Sequence, residues 1–237
     1  MAQQGGNIGQ RITDLIGSQY STDAAYEGDL INAAFNEVID MTSEDLLIKY
    51  SATPLSLTST SSGTAGNGTA VENMKVLKVT RVDADSNGIE RDCKFLDRFE
   101  FETAKDTGSL YYATVHTPVY TLNSHNASTE LLVFPHCSAS QNAKIWVKEY
   151  ALNDTDLSGI TYTTMNSAVF MPSNIIHAVV LKSCINILNA YISNQIQDEE
   201  DIELMQMIQQ QIQGLEKNFN TEMQRFMEDA NVPTGSE

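Results

Sequence analysis

The segment "SNIIHAVVLKSCINILNAYISNQI", directly after Pro172, limits the possible folds more than any other. Its residues Val180, Leu181, Cys184, Ile185, Leu188 and Ile192 recur at helical spacing, and Ser173 is the expected N-cap. An apolar face this broad has to be covered by other helices. The nearest candidates stand at the opposite end of the chain. In "TDAAYEGDLINAAFNEVIDM" the residues Leu30, Ile31, Ala34, Phe35 and Val38 keep the same period. Ser43, followed by Glu44 and Asp45, then starts a second short helix, because a hydroxyl accepts an orphan N–H and acids suit the positive helix end. Helices distant in sequence are therefore expected to form one bundle, with everything between them inserted.

The inserted part changes texture twice. Residues 54–73, with "LSLTSTSSGTAGNGTA", are almost all Ser, Thr, Gly and Ala and read as a flexible loop, since they bury too little apolar surface to offset their ordering entropy. Residues 74–171 read as an antiparallel β domain: "MKVLKVTRV", "IERDCKFL", "SLYYATVHTPVY", "ELLVFPH" and "AKIWVKEYAL" are rich in β-branched and aromatic residues and separated by polar turns. Trp146 reads as part of its packing. Asp83, Asp85, Asn87 and Gly88 match the first half of a calcium loop, but Lys94 occupies the twelfth position, where a bidentate Glu is required. A hairpin turn with Asn87 and Gly88 at positive φ is the expectation there.

Residues 172–197 form the bundle helix and residues 198–237 a long acidic helix and tail. Along the latter Met205, Ile208, Ile212, Leu215, Phe219, Met223 and Phe226 recur at spacings of three and four. A helix over residues 201–228 would be roughly 42 Å long at about 1.5 Å per residue. The short N-terminal helices cannot cover that length, so part of the stripe is expected to face another chain. The fold class is α+β: a helical bundle from both chain ends, an inserted β domain and a long C-terminal helix.

Charge narrows the function classes. The net charge is −17, and it is concentrated at the ends: residues 1–50 hold eight acids and two bases, residues 196–237 ten and two. Gripping nucleic acid requires clustered Lys and Arg, which this balance excludes. No apolar run approaches the roughly 18 to 20 residues of a membrane span, and "MAQQGGNIGQ" lacks the features of a signal peptide, so a cytoplasmic site of synthesis and no membrane partner are expected. Cys93, Cys137 and Cys184 read as reduced core thiols. Neither they nor His116, His125, His136 and His177 show metal-ligand spacing, and a Cys137–His116 nucleophile pair has nothing to stabilise a thiolate. Phosphate-loop and hydrolase motifs are lacking, so no enzyme and no cofactor is expected.

The order of "SLYYATVHTPVY", "ELLVFPHCSASQNAKIWVKEY" and "AVVLKSC" feeding an acid-then-Gln/Met helix resembles the head-to-tail adaptor (connector) proteins of tailed bacteriophages, over roughly residues 25 to 230. The resemblance implies a virion neck protein assembled in the host cytoplasm, forming a homo-oligomeric ring, usually of twelve copies, beneath the portal protein. DNA would pass through without specific binding, and a tail or nozzle protein would follow. It further implies that Asp198, Glu199, Glu200, Asp201 and Glu203 line the DNA channel, and that Leu215, Phe219, Met223, Phe226 and Met227 contact the portal. The alternatives are another neck or tail-completion ring protein, or a non-viral binding module whose acidic coiled coil captures a basic partner.

Overall fold

The computed structural model describes residues 7–20, 24–50, 53–56, 68–82, 89–125, 128–136, 143–150, 173–195 and 202–231. In chain order these form α1 (Ile8–Ile16), α2 (Ala24–Met41), α3 (Glu44–Tyr50), β1 (Thr53–Ser56), β2 (Thr69–Ala70), β3 (Met74–Val82), β4 (Glu90–Asp92), β5 (Lys94–Phe95), α4 (Arg98–Lys105), β6 (Val119–His125), β7 (Ser128–Phe134), β8 (Ala143–Glu149), α5 (Ser173–Gln195) and α6 (Ile202–Asn231). The chain divides into two units. The first joins residues 1–46 to residues 150–237, and the second is residues 47–149. The class is α+β, as the sequence predicts.

Helix α5 is the centre of the first unit. Ile176, Val179, Val180, Leu181, Cys184, Ile187 and Leu188 are all buried, and they point to more than one side of the helix. Helices α1, α2 and α6 cover those sides. From α2 come Ile31, Ala34, Phe35, Val38 and Ile39, and at the surface of the same contact Lys182 pairs with Glu37 at 2.7 Å. Helix α1, absent from the sequence expectations, is capped by Asn7, whose side chain accepts from the Gln10 N–H at 2.7 Å, and it buries Ile8, Ile12 and Ile16. The Tyr20 and Tyr191 rings meet edge to face at 5.0 Å. By length and composition, residues Ile175–Asn194 suffice to cross a membrane, which corrects the expectation that no such run exists. The central helix of a bundle meets the same criterion, and α5 is packed as one.

The second unit is a β-sandwich with a helix on its back. One sheet has the strand order β1-β8-β3-β4, the other β2-β7-β6-β5. All pairings are antiparallel except β5 with β6, which run parallel, so the second sheet is mixed rather than antiparallel throughout. Val79, Ile145 and Val147 from the first sheet pack with Leu131 and Val133 from the second and with Cys93, which lies between β4 and β5. On the other face of β6 and β7, Val119 and Leu132 pack on Phe101 and Ala104 of α4. Alternation along β7 thus feeds two cores, since successive side chains point to opposite faces.

Three expectations change here. Residues 54–73 are not one loop, because β1 and β2 take its ends into the two sheets; residues 57–67 lie outside the described residues, as does the turn at 83–88. The strand expected over "SLYYATVHTPVY" exists only from Val119 onward. Before it the backbone bonds locally: Ser109 N–H to Asp106 O, Tyr112 N–H to Ser109 O, and Thr117 N–H to Thr114 O. The side chains of Asp106, Ser109 and Thr117 accept from nearby backbone N–H groups as well, and such local partners compete with a sheet ladder. Helix α4 was not foreseen. Its signal is Asp97 followed by Glu100, with the Asp97 carboxylate accepting from the Glu100 N–H at 2.8 Å.

Because Leu188 is fully buried in α5, Leu188→Ala should cost about 2.5 to 5 kcal/mol in a urea titration followed by helical circular dichroism. A loss under about 1 kcal/mol would show that α5 is not the packed centre of its unit.

Candidate interaction surface

Helix α6 carries every described residue proposed from sequence as a site, so its two faces decide what those residues can do. Ile208, Ile212, Leu215, Phe219, Met223 and Phe226 are buried, each at 8% exposure or less. They recur along one side of the helix, which packs on α5, and Gln211 Nε2 donates to the Leu15 carbonyl at 3.4 Å. The stripe is therefore covered by its own chain. This corrects the expectation that surplus apolar length is left for a neighbour. The short N-terminal helices do not have to cover α6, because α5, about 34 Å long at 1.5 Å per residue, runs between.

The proposed portal contact divides accordingly. Leu215, Phe219, Met223 and Phe226 are interior, at 3% to 7% exposure, whereas Met227 is 37% exposed. Of the proposed channel lining, Asp198, Glu199, Glu200 and Asp201 lie outside the described residues. Glu203 is exposed in the first turn of α6, where a carboxylate also complements the positive end of the helix.

The outward face of α6 has a distinct chemistry. From residue 204 to residue 215 the helix carries no charged side chain, and Gln206, Met207, Gln209, Gln210, Gln213 and Gly214 are all exposed. Around them the charge is heavily one-sided. Residues 1–46 and 150–237 carry 20 acids and four bases, net −16, while residues 47–149 carry 11 acids and ten bases, net −1. The sandwich contributes a different kind of surface: Phe99, Leu110 and Tyr111 are among the most exposed large apolar residues described. Reading "SLYY" as a strand concealed the last two.

Among the described residues no group of three or more His, Cys, Asp or Glu could hold a metal. Burial pushes the Cys184 thiol up to about 12, with nearby Glu27 acting the same way, so it stays protonated at neutral pH. Burial, then the hydrogen bond to Asp40 at 2.7 Å, also raises Tyr150 to about 12. Burial lowers Lys148 to about 8, opposed by Glu149. Arg81, 2% exposed, donates from Nη2 to the His136 carbonyl at 3.3 Å. Cys137 lies outside the described residues, so its pairing with the exposed His116 has no geometry to assess. No protein-family model matches the sequence, and no curated protein does.

Two outcomes follow from this geometry. Phe219→Ala should cost the isolated protein about 3 to 5 kcal/mol of stability, as for a core aromatic; unchanged urea unfolding would return Phe219 to the role of an outward anchor. Lys148 binds its proton more weakly folded than unfolded, so the unfolded state holds more protons between about pH 8 and 10.5, and the second unit gains stability as pH rises through that window. Trp146, the only tryptophan, sits two residues away on β8. Its fluorescence should report a urea midpoint that climbs from pH 8 to 10, and Lys148→Met should flatten the climb. A flat wild-type profile would contradict the burial of the ammonium.

Proposed function

We propose that this chain is a subunit of the head-to-tail adaptor ring of a tailed bacteriophage, seated beneath the portal and extending the channel for DNA toward the tail. The observation that carries the reading is the joining of both chain ends into one acidic helical unit around α5, with a β-sandwich inserted between them. Helices at both ends around an inserted β region are part of the pattern on which the resemblance rests. The charge supports it as well. A unit at net −16 offers phosphates nothing to grip, and a channel wall must let DNA slide. In this reading Asp198, Glu199, Glu200, Asp201 and Glu203 face the passage, where negative potential discourages adhesion.

Portal docking is reassigned to the exposed Met227 near the C-terminal end of α6. Met227 is the anchor of the five that stands in solvent, and methionine adapts to imperfectly matched surfaces. Leu215, Phe219, Met223 and Phe226 support the contact indirectly, by holding the helix in place. A truncation after Gly214 is therefore a poor test, because it removes core side chains along with the contact.

Native mass spectrometry of the protein mixed with portal gives the direct test: a closed ring of about twelve copies, free or bound to portal, is the expected result. A single copy that never joins portal would overturn the reading. Met227→Glu should weaken portal binding by about tenfold or more while leaving urea unfolding unchanged, and full retention of binding would remove Met227 from the contact.

A further inference from the structure

Solvent-facing helix surfaces in an acidic protein are ordinarily dressed with carboxylates and their partners. Helix α6 departs from this over residues 204–215, where glutamines, Met207 at 55% exposure and Gly214 replace them. Depletion of charge with retention of methionine is the compositional mark of the centre of a protein–protein contact. Gly214 adds an independent observation. Glycine within a helix destabilises it relative to alanine, yet a Cβ built on Gly214 meets nothing within 4 Å. Its own fold gives no reason for the missing side chain.

We infer that this charge-free face of α6, centred on Gln210 and Gly214, is where a second copy of the chain docks. The charge distribution selects that occupant. An approach of one helical unit to another brings together bodies of net −16 each, so a contact between helical units has to fall where no carboxylate is desolvated. A contact centred on Gln210 and Gly214 leaves Glu203 about 10 Å from Gln210 along the axis, close to a Debye length at physiological salt, while Glu216, two residues past Gly214, is turned about 200° from it around the helix. A basic partner would gain nothing from a neutral patch and would bind the acids instead. Glutamine amides donate and accept at once, so they can be satisfied by an uncharged neighbour, and Gly214 lets that neighbour's backbone come close.

The inference deepens the ring reading and rests on it in taking the chain to self-associate. In a closed ring each copy offers this face to one neighbour and a different face to the other.

Sedimentation velocity of the full chain tests it through the sign of the salt effect and two variants. Self-association should strengthen as salt rises from about 50 to about 300 mM, because screening relieves repulsion between acidic bodies; weakening would mean charges pair across the contact and would overturn the inference. Gly214→Ala should raise the urea midpoint of the chain and yet weaken association by about tenfold. Gln210→Glu should weaken it comparably without altering unfolding. Wild-type association in both variants overturns the contact and leaves the ring reading standing. A chain that stays single at every salt concentration, with portal present, removes the ring reading itself.

Discussion

Burying α5 requires neighbours on several sides at once, and that requirement organises the rest of the first unit. Its apolar residues are too many and too widely spread around the helix for one partner, so α1 and α2 arrive from the beginning of the chain and α6 from its end. Each added helix then has only one face to bury. This explains why α1, α2 and α6 show clean apolar stripes while α5 does not, and why a core of this kind can tolerate a whole β-sandwich inserted between residues 46 and 150. Only the continuity of the helical core matters to it.

Periodicity made the bundle and the strands β3, β7 and β8 legible, because burial on one side imposes a repeat that survives in the residues. It could not say what covers the stripe on α6. Phe219 and Met223 would be spaced identically whether the apolar neighbour belonged to the same chain or to another, since the spacing reflects the geometry of α6 alone. The short N-terminal helices do not measure the cover of α6, because α5 packs between α2 and α6. Local polar chemistry hid the other features. Asp97 with Glu100, and Asn7 with Gln10, mark the starts of α4 and α1 but are short signals beside the apolar runs. Asp106, Ser109, Thr114 and Thr117 turned a β-rich stretch into a locally bonded loop.

The candidate site was legible in the opposite sense. Sequence draws attention to bulky apolar residues and to acids, whereas the exposed face of α6 between residues 204 and 215 is mostly glutamine. Glutamine carries no periodicity signal and no charge signal, and Gly214 is informative only once the space around it is known. The concentration of charge at the chain ends is visible in the sequence, and the division of the chain adds that both ends belong to one unit. In the adaptor reading these properties belong together: acids keep DNA sliding, and neutral helix surface lets acidic subunits meet.

The claim beneath all of this is that helices from both ends of the chain form one cooperative body closed by α6. Native-state amide exchange across a urea series, read by mass spectrometry, tests it most directly. Amides within residues 34–39, 176–188 and 208–226 are predicted to open together, with a common free energy and a common urea dependence. Exchange of residues 208–226 at far lower cost, while 34–39 and 176–188 stay protected, would show that α6 is an appendage and would contradict the account.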